Sequence, residues 1–278
     1  VMVLELSGIR ELAERFDVFI LDQFGVLHDG TAPYPGAVET LVQLKQAGKP
    51  TLLLSNSGKR SAPNEARLEK LGFIPGSWGH FLSSGEVAWQ SLRGSLADGK
   101  DVRCLLVARD GDRSAVEGLP LTLVDKGSEA DIVLLAASEG DRFDLDHYRR
   151  LLQPAAERGV VCLCTNPDKI MLTSVGPRFG AGRIAELYVE LGGPVTWIGK
   201  PFAEIYAAAL KMLGNPDRAR VVCVGDSIEH DMAGGQGAGL NTALVATGIL
   251  ETTTAAEKQQ LYAEHGATPD FLLRAFEW

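Results

Sequence analysis

A small set of side chains in this sequence stands where apolar runs give way to polar residues, and their types suit chemistry on an anionic centre. Asp22 closes the run DVFILD, Ser55 and Asn56 close TLLLSNS, and Lys200 follows TWIG and precedes Pro201. Asp226 closes VVCVGD, with Asp231 following in the pattern GDxxxxD. Singly, each is an ordinary helix cap or turn. Four such polar ends in this order, carboxylates together with hydroxyl, amide and ammonium groups, form a specific signature. A carboxylate that attacks an anion needs its own charge and the charge developing on the target offset by cations, and Lys200 is of the right type for that.

Bringing these groups together is the task of the elements between them. DVFILD is short and almost wholly apolar, as expected of a parallel strand buried on both faces, and TLLLSNS repeats the pattern. Between them, Ala37 to Ala47 places Val38, Leu41, Leu44 and Lys45 at helical spacing, and Gly48 ends that helix. The same alternation predicts helices at Ser61 to Leu71, Glu86 to about Leu96, Asp144 to Arg158, Ala181 to Leu191, Ala203 to Leu213 and after Glu229. Strands are expected at HFLSS, CLLVA, LTLV, DIVLLAA, VVCLCT, TWIGK, VVCVGD and NTALVAT, while LETTTAAEKQQ reads as a solvated loop and helix. Alternation of this kind predicts an α/β fold with a doubly wound, Rossmann-like parallel-sheet core and right-handed crossovers. Ligands of such sheets sit beyond the carboxyl ends of the strands, so Asp22, Ser55-Asn56 and Asp226 are expected to converge at one sheet edge.

The chain of 278 residues admits one large domain or two moderate ones, and 45% hydrophobic with 23% charged residues is the balance of a soluble globular protein. A formal net charge of -9 works against a nucleic-acid partner. No apolar stretch approaches the roughly 20 residues of a membrane helix, and the first residues carry neither a charged leader nor a signal-peptide core, so a cytoplasmic location without membrane association is expected. Cys104, Cys162, Cys164 and Cys223 each sit in a strand-like apolar run without CxxC spacing, and read as buried reduced thiols.

In sequence order, FILDQFGVL with Asp22, LLLSNS with Ser55, IGKP with Lys200 and VGDSIEHD with Asp226 and Asp231 resemble the four motifs of the haloacid dehalogenase superfamily of hydrolases. Only a helix and its loops separate the first two motifs, whereas the interval from Ser55 to Lys200 has room for an α/β domain of roughly 100 residues. This looks like class IIA of the superfamily, the group of pyridoxal-phosphate, phosphoglycolate and sugar-phosphate phosphatases. The resemblance runs from about Asp17 to Ala246 and is continuous over CTNPDKIMLTSVGPRFGAGRIAELYVELGGPVTWIGKPFAEIY. It implies a core of residues 1–97 and 195–278 and an α/β cap of residues 98–194 that closes over Asp22, with a possible homodimer through the cap. It further implies a magnesium-dependent phosphatase that acts on a small phosphorylated metabolite through an aspartyl-phosphate at Asp22. The metal would be held by Asp22, Asp226 and the main-chain carbonyl of Phe24. Ser55 and the amide groups near Asn56 would cradle the phosphoryl oxygens, and Asp231 would order Lys200 or a metal-bound water.

One position departs from the pattern. Superfamily phosphatases carry a second Asp two residues after the nucleophile as proton donor and acceptor, and here that residue is Phe24. His28 or Asp29, in the flap after the nucleophile, could replace it, and His28 has a suitable unperturbed pKa of ~6.5. Taken alone, His28 reads sooner as a surface turn histidine. A leaving group that departs unprotonated is the second explanation, and a catalytically impaired phosphate-binding or regulatory protein the third. Metal-free haloacid dehalogenation fits poorly with Asp226 and Asp231. His80, His147, His230 and His265 share no metal-ligand spacing. Asn166, Asp168, Lys169, Arg178 and Arg183 lie in the stretch that resembles the substrate-contacting part of the cap, with plain solvation as their competing reading.

Overall fold

The structure is a computed structural model and describes residues 2–278. In chain order its regular elements are β1 (Leu4–Leu6), α1 (Ile9–Arg15), β2 (Val18–Leu21), α2 (Ala37–Gln46), β3 (Thr51–Ser55), α3 (Ser61–Leu71), β4 (His80–Ser83), α4 (Ser84–Ser95), β5 (Val102–Val107), β6 (Leu121–Val124), β7 (Ile132–Leu135) and α5 (Leu145–Glu157). There follow β8 (Cys162–Cys164), β9 (Ile170–Thr173), β10 (Gly176–Phe179), α6 (Ala181–Glu190), β11 (Val195–Trp197), α7 (Ala203–Met212), β12 (Val221–Gly225), α8 (Ala233–Gly237), β13 (Asn241–Val245), α9 (Ala255–His265) and β14 (Phe271–Leu273). The chain divides into two compact units. One holds the residues up to Ser55, Ala62–Leu82 and Lys200–Trp278; the other holds Asn56–Ser61 and Ser83–Gly199.

The first unit is built on a seven-stranded sheet in the order β1-β14-β13-β12-β2-β3-β4, parallel from β1 through to β3. Every residue of β2, β3 and β12 is buried, which is why their sequences read as unbroken apolar runs rather than alternating ones. Phe19, Leu21, Leu53, Val222 and Val224 join Leu41 and Leu44 of α2 in one core cluster. Each fully buried leucine of that kind contributes about 1.5–3 kcal/mol, so α2 is held by its inward stripe. From β2 the chain steps outward to β3 and β4, then returns to place β12 on the other flank of β2. Strand order therefore reverses between β2 and β12, the place where such sheets open a crevice for ligands. Asp22 and Asp226 follow these two strands directly.

The second unit has its own five-stranded sheet, β11-β8-β7-β5-β6, parallel throughout, and an antiparallel hairpin of β9 and β10. Its core includes Leu135, Tyr148, Leu152, Ile184 and Tyr188. The unit reaches beyond residues 98–194 at both ends, for two local reasons. Leu92 and Leu96, at the end of α4 and just beyond it, pack with Cys104 and Leu134, and β11 pairs with β8 through Val195 and Cys162. Cys104, Cys162, Cys164 and Cys223 are all buried and free. Among the described residues, no helix is long and apolar enough to cross a membrane.

Candidate active site

The N–H of Asp22 donates to Val224 O (2.9 Å), which carries the β2–β12 ladder one residue past the strand and delivers the Asp22 carboxylate at the sheet edge. Lys200 enters from the start of the returning chain. Its Nζ lies 2.9 Å from Asp22 Oδ1 and 2.7 Å from Asp231 Oδ1, and the residue is 4% exposed. Asp231 sits on a wide helical turn, Ile228–Met232, that precedes α8, and its second oxygen accepts from Ser227 N at 3.1 Å. Widened turns of this sort are frequent at functional sites. Asp226 Oδ2 accepts from Ile249 N at 3.0 Å. Oxygens of Asp22, Asp226 and Asp231 all lie within 4.8 Å of one another.

Three carboxylates thus face one ammonium in a buried place. Burial alone would pull the Lys200 pKa down, but the charges of Asp22 and Asp231 outweigh it and hold the lysine protonated, above its usual range. Burial, then the neighbouring Asp22 and Asp231, push the Asp226 carboxyl well above the usual carboxylate range. Such a carboxyl group requires a proton or a cation, and a group of hard oxygens is the donor set that a hard divalent cation takes. The backbone makes room for the Asp226 carboxylate itself: a Cβ on Gly25 or on Gly248, both at positive φ, would collide with its Oδ2.

Ser55, at the end of β3, is 4% exposed and accepts a hydrogen bond from Gln23 Nε2 at 2.9 Å. Asn56 follows it directly in the chain but belongs to the second unit, where its Nδ2 donates to Asp168 Oδ1 at 2.9 Å. Also within that unit, Asn166 Oδ1 accepts from Asp168 N, Lys169 pairs with Glu186, Arg183 pairs with Glu190, and Arg178 donates to Pro177 O. His230 Nδ1 lies 3.1 Å from Lys200 O.

The flap corrects two expectations. His28 is not a surface turn residue: it has no exposed area, and its ring meets Phe24 edge-on at 5.7 Å and Phe73 at 6.4 Å. Nδ1 accepts from Gly30 N at 3.0 Å, and Nε2 is buried without a hydrogen-bond partner. Burial, assisted by the Arg67 charge, lowers its pKa to about 4. A neutral imidazole sealed between aromatic rings is a packing element, so this placement does not carry the acid–base role expected of His28. Asp29 is no better placed as a proton donor, because the N–H groups of Ala32 and Thr31 and the Thr31 hydroxyl hold its carboxyl at about 2. Sequence reading missed Gln23, buried beside Ser55, and Asn64, buried and bonded to Gln23. The available signal was an amide set among the apolar residues around the first motif.

A family model described as haloacid dehalogenase-like hydrolase matches residues 19–122, and a second, HAD-hydrolase-like, matches residues 197–274. Chronophin of Rattus norvegicus is 27% identical, over 97% of this chain and 88% of its own length. Among solved structures, p-nitrophenyl phosphatase from Archaeoglobus fulgidus is 29% identical with a TM-score of 0.71, covering 94% of this chain and 97% of that one. A glycerol phosphate phosphatase from Mycobacterium tuberculosis, in complex with magnesium, is 25% identical with a TM-score of 0.73, covering 98% and 78% respectively. The two models together take in Asp22, Ser55, Lys200, Asp226 and Asp231, and the chain belongs to the haloacid dehalogenase-like hydrolases.

Proposed function

We propose that this hydrolase cleaves phosphate monoesters of small metabolites, sugar phosphates among them, with Asp22 as nucleophile and magnesium as cofactor. The observation that carries the reading is the buried group in which Lys200 bridges Asp22 and Asp231 while Asp226 supplies a third carboxylate. One ammonium against three carboxylates leaves an excess of negative charge that a divalent cation fits. Asp22, Asp226 and the main-chain carbonyl of Phe24 would hold the ion, with Asp231 outside them, and it would supply charge neutralisation at the phosphoryl oxygens. The magnesium in the Mycobacterium tuberculosis phosphatase supports that choice of ion.

In this reading an Asp22 carboxylate oxygen attacks phosphorus, and the ester P–O bond breaks with its electron pair on the departing oxygen. The departing oxygen takes a proton from solvent. Water then attacks the phosphorus of the aspartyl-phosphate, breaking its bond to the Asp22 oxygen, so that the carboxylate returns and the water hydrogens leave with inorganic phosphate or to solvent. Lys200, kept protonated by its two aspartates, lends positive charge to the transferring group. Ser55 and the amide groups near Asn56 donate to the phosphoryl oxygens. Phe24 can neither give nor take a proton, so substrates whose leaving groups are stable as anions turn over fastest.

The test is phosphate release from sugar, glycolate, nucleotide and p-nitrophenyl phosphates, with magnesium or with chelator. Magnesium-dependent release that disappears in Asp22→Asn supports the proposal. Binding without release across the whole panel would put a phosphate-binding protein in its place.

A further inference from the structure

Gln23 stands between the nucleophile and the phenylalanine that occupies the usual acid position. Its N–H donates to Asp22 Oδ1 at 2.9 Å, and its carbonyl accepts from the N–H groups of Val26 (3.3 Å), Leu27 (2.7 Å) and His28 (3.3 Å). Its side-chain Nε2 donates to Ser55 Oγ at 2.9 Å and to Asn64 Oδ1 at 3.4 Å. Gln23 is 6% exposed, and Ser55 and Asn64 are 4% each, so these bonds are made away from competing water. One residue thus holds the nucleophile's carboxylate, the turn behind it and the hydroxyl at the end of the neighbouring strand.

The direction of the Ser55 bond matters chemically. A serine hydroxyl has one proton and two lone pairs. With a Gln23 N–H aimed at one lone pair, the Ser55 proton cannot point back along that line and must be donated elsewhere. We propose that Gln23 is a positioning residue: its carboxamide commits the Ser55 hydroxyl to donate to a phosphoryl oxygen while tethering the nucleophile's turn to β3. The proposal rests on the reading of Ser55 as a phosphate-cradling residue. The Gln23 side chain acts through Ser55, while its main-chain N–H meets the nucleophile's carboxylate.

Two variants of similar size separate this role from simple packing. Gln23→Met deletes the donor and adds no charge. Gln23→Glu presents an acceptor, which draws the Ser55 proton away from the phosphoryl group. The readouts are calorimetric binding of inorganic phosphate in the presence of magnesium, and KM and kcat for p-nitrophenyl phosphate, with thermal melts as a control on folding. Loss of one hydrogen bond to a charged group weakens binding roughly 10- to 100-fold, and loss of the group that orients it costs less. The expected result is phosphate binding weakened about fivefold in Gln23→Met and more than about fiftyfold in Gln23→Glu, expressed in KM rather than kcat. In the Ser55→Ala background, Gln23→Met should add nothing, because the hydroxyl it orients is gone. Should Gln23→Met not fold, Asn64→Ala removes the second anchor of the amide, and a two- to threefold effect that vanishes in Ser55→Ala is expected. A loss of equal size with and without Ser55 would overturn the proposal. Unchanged phosphate binding in Ser55→Ala would overturn it at its premise, while Asp22→Asn turnover still judges the phosphatase reading separately.

Discussion

The two compact units use the same ionic vocabulary to different ends. In the first, Lys200 and Asp231 are 2.7 Å apart with side chains 4% and 5% exposed. In the second, Lys169 and Glu186 are 2.9 Å apart but 45% and 36% exposed, and Arg183 and Glu190 are 3.0 Å apart at 31% and 52%. Distance does not separate these pairs; burial does. Exposed pairs contribute about 0–1 kcal/mol and are screened by salt, whereas a buried charge that loses its partner is strongly destabilising. Lys169 and Arg183, candidates for substrate contact on sequence grounds, pair with glutamates of α6. In the buried group the same short distances are screened less by water.

The sharpest way to break this contrast is Asp22→Asn, which should lower magnesium-dependent phosphate release by at least about a thousandfold while leaving the melting temperature nearly unchanged. Next in size, Lys200→Met should cost about 3–5 kcal/mol in urea unfolding, because Asp22 and Asp231 are left buried without their cation. Lys169→Met, its control in the second unit, should cost less than about 0.5 kcal/mol. Equal losses from the two lysines would remove the distinction between the units.

His28 adds a pH dimension to the first unit. Its folded pKa of about 4 lies below the usual ~6.5, so as pH falls the unfolded chain takes up a proton before the folded one. This contribution is complete above about pH 6.5 and is lost progressively down to about pH 4, a total of about 3 kcal/mol. Urea unfolding across that window should show His28→Asn losing less stability than the parent by about that amount; parallel curves would show that the ring titrates normally. Magnesium gives a slightly smaller effect. At about 100 times its dissociation constant it should add about 2.7 kcal/mol to unfolding, read as a rise in melting temperature. Asp226→Asn should abolish that rise.

The sequence made the sheet edge legible because buried parallel strands have unmistakable apolar runs, and Asp22, Ser55 and Asp226 interrupt them abruptly. It did not reveal β1 and β14, three residues each, which are too short to show a period and depend on pairing between Leu4 and Phe271 across nearly the whole chain. The limits of the second unit were obscured for a related reason. The run TWIGK looks like any other strand, and only its pairing with β8 assigns it to one sheet rather than the other. His28 was misplaced because the Asp29-Gly30-Thr31 that follows it reads as a polar turn, whereas its ring packs against Phe24 and against Phe73 from a distant loop. Gln23 escaped notice because the direction of a hydrogen bond leaves no trace in composition.

The two bare α-carbons that face Asp226 limit how the protein can be redesigned. In a library that randomises every position, 25 and 248 should each tolerate a single letter, since even a methyl group there strikes the carboxylate. Directed evolution toward new substrates must therefore leave this pinch alone and work through side chains elsewhere.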